Sequence, residues 1–129
     1  MAWVHAVIVL ALVEFLTFGF LVGRARGRYN VPAPATAGNE VFERYFRVHM
    51  NTLEQLVVFI PSILIFSRYQ SPLLAAGLGA VFIVGRVVYL LGYVREPRKR
   101  ELGFFLSAIP NVVLLLGGLF GAVRAALAS

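Results

Sequence analysis

Residues 3–22 read WVHAVIVLALVEFLTFGFLV, an apolar run with one acidic residue, Glu14. A helix needs about 20 mostly apolar residues to cross the hydrocarbon core of a bilayer. Comparable runs follow, and the sequence predicts membrane spans at about residues 3–22, 41–67, 72–94 and 103–127. Such runs differ from the alternating strands of a membrane barrel, which take about ten residues each. We therefore predict an all-α integral membrane protein with a single domain, residues 1–129, built as a four-transmembrane-helix bundle.

The composition of the chain supports this assignment. Of its 129 residues, 60 % are hydrophobic and 14 % are charged, whereas soluble domains carry about 25 % charged residues. A soluble protein of this size would expose too much apolar area. Cysteine is absent, which excludes disulfides, thiolate metal sites and a cysteine nucleophile. No metal site is expected, because His5 and His49 lie far apart in the sequence and no acidic cluster stands at ligand spacing.

The positions of the basic residues predict the orientation of the bundle. The net charge is +6, and most basic residues fall in or beside residues 23–40 and 95–102. Only Arg68 and Arg124 lie on the opposite side. By the positive-inside rule, both loops face the cytoplasm and both termini face outward, in the inner membrane if the cell is prokaryotic. Topology and attraction to anionic lipids can explain this charge. Nucleic-acid binding is disfavoured, because the sequence predicts no soluble module that would present the basic residues.

Polar side chains form two stripes inside the predicted spans. One stripe, on the second helix, comprises Arg47, Asn51 and Glu54, and the other, on the third helix, comprises Arg86, Tyr89 and Tyr93. At about 100° per residue, each set falls within an arc of about 60°. Ionisable groups inside a membrane usually face a polar interior or a cavity. Both stripes end on the predicted cytoplasmic side.

The stripes admit two interpretations. In the first they line a pocket, in which guanidinium groups bind carboxylates, a carboxylate binds an ammonium group and an amide pairs with peptide groups. Arginines beside a thiol would also raise its thiolate fraction, so a small anionic peptide that carries a thiol fits all these groups. In the second, Glu54 pairs with Arg86, the tyrosines join the aromatic belt and Arg47 extends to the headgroups. Spacing alone leaves both open.

Two stretches that contain the stripes resemble a known family. Residues 42–55, FERYFRVHMNTLEQ, resemble the second-helix signature of the MAPEG superfamily, the membrane-associated proteins of eicosanoid and glutathione metabolism. Residues 86–95, RVVYLLGYVR, resemble the third-helix motif of that family. The superfamily includes microsomal glutathione S-transferases and leukotriene-conjugating synthases. The resemblance covers nearly the whole chain, including the long first loop and the basic third loop.

The resemblance implies a homotrimer that binds glutathione between neighbouring subunits. It matches these positions to residues that hold glutathione: Arg26, Arg47, Asn51, Glu54, Arg86, Tyr89 and Tyr93. Arg100 aligns with the arginine that is thought to stabilise the glutathione thiolate in the leukotriene-synthase branch. The implied function is that of a detoxifying glutathione transferase or peroxidase. Glutathione would be its cosubstrate, and lipophilic electrophiles or hydroperoxides from the membrane would be the acceptors.

Departures from the family pattern bear on the reaction. His49 and Gln55 stand where the leukotriene-synthase branch has glutamine and tyrosine, and Gly27 replaces a second arginine. These differences favour a general conjugating or peroxide-reducing enzyme over an eicosanoid synthase. One alternative is a non-catalytic member of the fold that binds lipid or a partner. Another is a small proton-coupled multidrug exporter that uses Glu14, although a structural pairing of Glu14 with Asn111 or a neighbouring subunit is favoured.

Overall fold

The computed structural model describes residues 1–96 and 100–129. Over these residues the chain forms four helices: α1 (Ala2–Tyr29), α2 (Glu40–Tyr69), α3 (Pro72–Arg95) and α4 (Arg100–Ala128), with no strand. All four are long and apolar enough to cross a membrane. The predicted all-α fold with four transmembrane helices is therefore confirmed. The basic residues Arg98 and Lys99 of the predicted third loop lie outside the described residues.

The helices extend beyond the predicted spans, and local signals explain their ends. Helix α1 continues past residue 22 through Arg24, Ala25 and Arg26, which are good helix formers, although Gly23 and Gly27 are not. It ends at Asn30, whose φ of 55° is left-handed. The first loop is thereby shortened to residues 30–39. Helix α2 begins where Asn39 Oδ1 accepts from the backbone N–H of Val41 and Phe42 at 2.9 and 3.0 Å. Helix α3 begins where Ser71 Oγ caps the first turn.

Helices α2 and α3 form the centre of the bundle. Each contacts the other and both outer helices, whereas the described residues of α1 and α4 make no comparable contact. Phe59 of α2 stacks on Phe82 of α3, with ring centroids 4.1 Å apart. Gly85 lets α3 and α4 approach closely, since a Cβ there would lie 2.6 Å from the backbone nitrogen of Ser107. This approach sets the neighbouring residue, Arg86, directly against α4.

The outward surface of the bundle is apolar along its length. Phe20 of α1 is 74 % exposed, Val57 of α2 68 %, Leu73 of α3 77 % and Phe120 of α4 63 %. Large apolar side chains on all four helices would be unfavourable in water and are favourable against acyl chains. The burial pattern therefore agrees with a membrane protein.

One acidic side chain is buried within the bundle. Glu14 is 8 % exposed, and neither carboxylate oxygen has a hydrogen-bond partner among the described residues. The favoured pairing with Asn111 is not observed, because the Asn111 amide donates instead to Gln55 Oε1 at 3.0 Å and to the Gln55 carbonyl at 3.2 Å. Among the described residues, helix α4 packs against α2 and α3 and not against α1, so Asn111 contacts α2 and not Glu14 of α1. A partner for Glu14 from a neighbouring subunit stays a prediction.

Candidate functional site

A cavity of about 460 Å³ opens beside the N-terminal half of α2. Its lining comprises Thr36, Ala37, Glu43, Phe46, Arg47, Met50, Asn51, Glu54, Tyr89 and Tyr93. The whole predicted stripe of α2 lies in this lining, together with both tyrosines of α3. Arg47 and Glu54 are exposed and Asn51 is half-buried, so their polar groups are accessible to a ligand. The structure thus brings together five of the eight predicted site residues.

Arg86 lies behind this cavity rather than in its lining. Its side chain is fully buried, and its Nη2 donates to Asn51 Oδ1 at 2.8 Å. Nε and Nη2 donate to Thr52 Oγ1 at 3.2 and 3.0 Å, and Nη1 donates to Ser107 Oγ at 3.0 Å. The guanidinium also lies 4.4 Å from the centroid of the Tyr89 ring. Arg86 therefore links α2, α3 and α4, and the alternative pairing of Arg86 with Glu54 is not formed.

The contacts of Arg86 orient two residues of the cavity lining. Asn51 Oδ1 accepts from Arg86, so the Asn51 amide N–H groups are left to donate elsewhere. Tyr89 is held by the cation–π contact with the same guanidinium. A buried arginine thus fixes which hydrogen-bonding groups of α2 and α3 the cavity presents.

Arg26 also lies outside the cavity lining and contacts the first loop. Its Nη1 donates to the Ala35 carbonyl at 2.6 Å and to the Val31 carbonyl at 3.4 Å. The guanidinium lies 4.7 Å from the centroid of the Phe42 ring. Because the following loop residues, Thr36 and Ala37, line the cavity, Arg26 supports one wall of it from behind.

Arg100 borders a second cavity, of about 430 Å³, that adjoins the first. Its lining comprises Asn51, Tyr89, Arg100, Glu101, Phe104 and Phe105. Asn51 and Tyr89 belong to both cavities, and the Arg100 guanidinium lies 5.5 Å from the centroid of the Tyr93 ring. A polar cavity and a more aromatic one therefore meet at Asn51 and Tyr89, with a cation at their border.

The polar cavity is less basic than the sequence predicts. Of the described residues, one arginine (Arg47) and two glutamates (Glu43 and Glu54) line it. The sequence reasoning missed Glu43, Phe46 and Met50. Glu43 and Met50 are seven residues apart, as Arg47 and Glu54 are, and lie on the same helical face, whereas Phe46 lies at the edge of that face. The Glu43 carboxylate accepts from the backbone N–H of Gly38 at 3.3 Å and so contacts the loop wall. The described residues hold no cluster of three or more metal-ligating side chains.

Residues 4–120 of the chain match the model of the MAPEG family. An uncharacterized protein of Synechocystis is 44 % identical over 117 residues, 91 % of this chain and 85 % of that protein. Human microsomal glutathione S-transferase 2 is 38 % identical over 115 residues, 88 % of this chain and 78 % of that protein. Leukotriene C4 synthase of Rattus norvegicus is 30 % identical over 118 residues, 85 % of this chain and 79 % of that protein. With four membrane-crossing helices and a family match over most of its length, the chain belongs to the MAPEG family.

Proposed function

We propose that the protein is a membrane-embedded glutathione transferase that also reduces hydroperoxides. The observation that carries this proposal is the convergence of Arg47, Asn51 and Glu54 with two tyrosines on one cavity. Relatives named as a glutathione S-transferase and a leukotriene C4 synthase support a glutathione-utilising membrane enzyme. The acceptor would be a lipophilic electrophile or hydroperoxide that reaches the site from the bilayer.

The spacing of the α2 stripe suits an extended tripeptide. Arg47 and Glu54 are about 10 Å apart along the helix axis, at about 1.5 Å per residue. Three extended α-linked residues also span about 10 Å, and the γ-linkage of glutathione makes it slightly longer than that. Arg47 would bind a carboxylate of glutathione, Glu54 its ammonium group, and Asn51 a peptide group between them. The volume of about 460 Å³ lies in the usual range for ligand pockets, about 300–1,000 Å³.

Arg100 would act on the sulfur. A guanidinium beside a thiol favours the thiolate, so the S–H bond breaks and its proton leaves to solvent. The thiolate then attacks an electrophilic carbon, a C–S bond forms, and the leaving group departs with the bonding electrons. With a hydroperoxide the thiolate attacks the terminal oxygen and the O–O bond breaks, which gives the sulfenic acid of glutathione and an alkoxide. The alkoxide takes a proton from solvent and leaves as an alcohol. A second glutathione converts the sulfenic acid to the disulfide and releases water.

Two further arginines would act through other groups. Arg86 would be a positioning residue, because its hydrogen bond to Asn51 and its contact with Tyr89 orient the cavity lining. Arg26 would position the first loop through its hydrogen bond to the Ala35 carbonyl.

The proposed assembly is a homotrimer with the site between subunits. The walls of the polar cavity come from α2, α3 and the first loop, while Arg47 and Glu54 are exposed. A neighbouring subunit would cover this open side and withdraw the site from water, which strengthens the electrostatic contacts. We further propose that the site opens to the cytoplasm, where the basic segments at residues 23–40 and 95–102 would lie by their charge.

Glutathione binding and turnover with purified protein test the proposal. Glu54→Gln should raise the glutathione Kd about tenfold, since the ammonium group loses its ionised acceptor and keeps only a neutral amide oxygen. Arg100→Ala should lower kcat with a standard aromatic electrophile by about 10²–10³, as for loss of one transition-state charge stabiliser. It should also abolish the thiolate absorbance that appears on adding glutathione. Arg95→Ala is the matched control, because Arg95 is exposed near the same end of the bundle and lines neither cavity.

The outcomes separate the candidate functions. Tight glutathione binding without turnover of electrophiles or hydroperoxides would indicate a non-catalytic binding protein. Absence of glutathione binding would refute the proposal. Thiolate absorbance that is unchanged in Arg100→Ala would remove Arg100 from the mechanism. The exporter alternative gains no support from Glu14, which lines neither cavity. Proton-driven efflux that is lost in Glu14→Gln would restore it.

A further inference from the structure

Two arginines at the end of α1 take no part in the site described above. Arg24 and Arg28 are one helical turn apart and both are exposed. Among the described residues, Arg44 forms an ion pair with Glu40, but neither Arg24 nor Arg28 forms one with a carboxylate. The Arg28 guanidinium lies 5.6 Å from the centroid of the Tyr29 ring. Two cations that no carboxylate neutralises thus lie next to each other, just after the apolar run of α1 ends.

A small cleft between α1 and α2 lies at these arginines. Its lining comprises Leu21, Arg24, Ala25, Arg28, Tyr29 and Tyr45. No acidic residue contributes to it, and two phenols can donate hydrogen bonds. Guanidinium groups and phenols together are suited to the oxygens of a phosphate.

An apolar track continues from the cleft along α1. Leu10 and Val13 are 56 % and 51 % exposed, and with Leu21 they fall on the same face as Arg24 and Arg28 at about 100° per residue. From Arg24 to Leu10 the helix rises about 21 Å, which is most of the roughly 30 Å hydrocarbon core. Thr17 lies on the same face, and its hydroxyl donates to the Val13 carbonyl at 2.8 Å. The surface therefore offers cations at the bilayer boundary and a mostly apolar track below them.

We propose that this surface is a binding site for an anionic phospholipid. The phosphate would lie between Arg24 and Arg28 and accept from Tyr45 of α2, while an acyl chain follows Leu21, Val13 and Leu10. A soluble phosphate compound would use the cations alone, so the apolar track below them favours a membrane lipid. The site would hold the ends of α1 and α2 together at the membrane boundary, independently of glutathione.

Native mass spectrometry of the detergent-purified full-length protein tests this site. The probes are dioleoyl phosphatidylglycerol and its zwitterionic counterpart, dioleoyl phosphatidylcholine. Arg24→Gln and Arg28→Gln should each weaken phosphatidylglycerol binding about tenfold, the loss of one charge-assisted hydrogen bond. They should weaken phosphatidylcholine binding less, because the choline of that headgroup offsets the charge of its phosphate. Arg95→Gln, an exposed arginine at the end of α3, is the matched control and should retain the wild-type affinity.

Several results would overturn the proposal. An equal loss in Arg95→Gln would mean that only the diffuse surface potential attracts the lipid. Displacement of the lipid by glycerol phosphate at low millimolar concentration would indicate a site for soluble anions. A changed oligomeric state in the Gln variants would make the surface a protein contact. The Arg24→Lys/Arg28→Lys double variant keeps both charges but loses the planar guanidinium donors. It should therefore retain measurable phosphatidylglycerol binding even if the Gln variants fold poorly, and a complete loss there would also refute the site.

Discussion

Replacing Arg86 by Met should destabilise the bundle and weaken glutathione binding at the same time. Methionine approximates the length of the arginine stem and has no donors. Arg86 is fully buried and donates four hydrogen bonds to Asn51, Thr52 and Ser107. The substitution removes all four and leaves Asn51 Oδ1 without its donor.

The magnitude follows from the number of hydrogen bonds lost. Interhelical hydrogen bonds in membrane proteins average about 0.6 kcal/mol, so four of them contribute about 2 kcal/mol. Hydrogen bonds to charged groups in other settings contribute about 1.5 kcal/mol or more, which raises the figure to about 6 kcal/mol. We expect the free energy of unfolding to fall by an amount between these limits.

Reversible unfolding in mixed micelles measures the loss of stability. Arg44→Met is the matched control, because Arg44 donates to the exposed Glu40 carboxylate and to the Val94 carbonyl. Its loss should cost about 1 kcal/mol or less. Calorimetric titration of glutathione measures the second effect. The Asn51 amide can rotate once Arg86 is gone, so the Kd should rise in Arg86→Met.

A double variant tests whether Arg86 acts through Asn51. If it does, Arg86→Met should raise the glutathione Kd in the wild type and have little further effect in Asn51→Ala. Equal effects in both backgrounds would refute the positioning role. Arg86→Met with an unchanged free energy of unfolding would refute the structural role.

Further variants test other contacts of the bundle. Arg26→Gln should speed proteolysis of the first loop and raise the glutathione Kd about tenfold. An unchanged rate of cleavage would contradict the proposal that Arg26 holds this loop in place. Gly85→Ala should lower the free energy of unfolding by about 1–3 kcal/mol through overpacking. Gly77→Ala, where a Cβ meets no atom within 4 Å, should raise it by up to about 1 kcal/mol.

The fold was predictable from local sequence features. Apolar runs of about 20 residues require membrane-crossing helices, and Asn39 and Ser71 mark where α2 and α3 begin. The end of α1 was misjudged, because its arginines are charged and also good helix formers. The prediction assigned residues 23–29 to a loop because they are rich in glycine and charged residues. In the structure α1 continues to Tyr29.

The lining of the polar cavity was predictable where one helix carries it. Arg47, Asn51 and Glu54 share a face of α2 because the helical period alone brings them together, and all three line the cavity. The same period puts Arg86 on the face of Tyr89 and Tyr93, but it carries no information on what covers that face.

Sequence by itself therefore determined the membrane helices, their order and the polar faces of α2 and α3. Tertiary structure decided which polar groups line a cavity and which contact each other. The close approach of α3 and α4 at Gly85 surrounds Arg86 with Thr52 and Ser107, and the fold of the first loop draws Arg26 to the Ala35 carbonyl. The physical reason is that burial depends on the distance between helices. That distance is set by side chains far apart in the sequence, whereas a helical face is set by residues three and four apart.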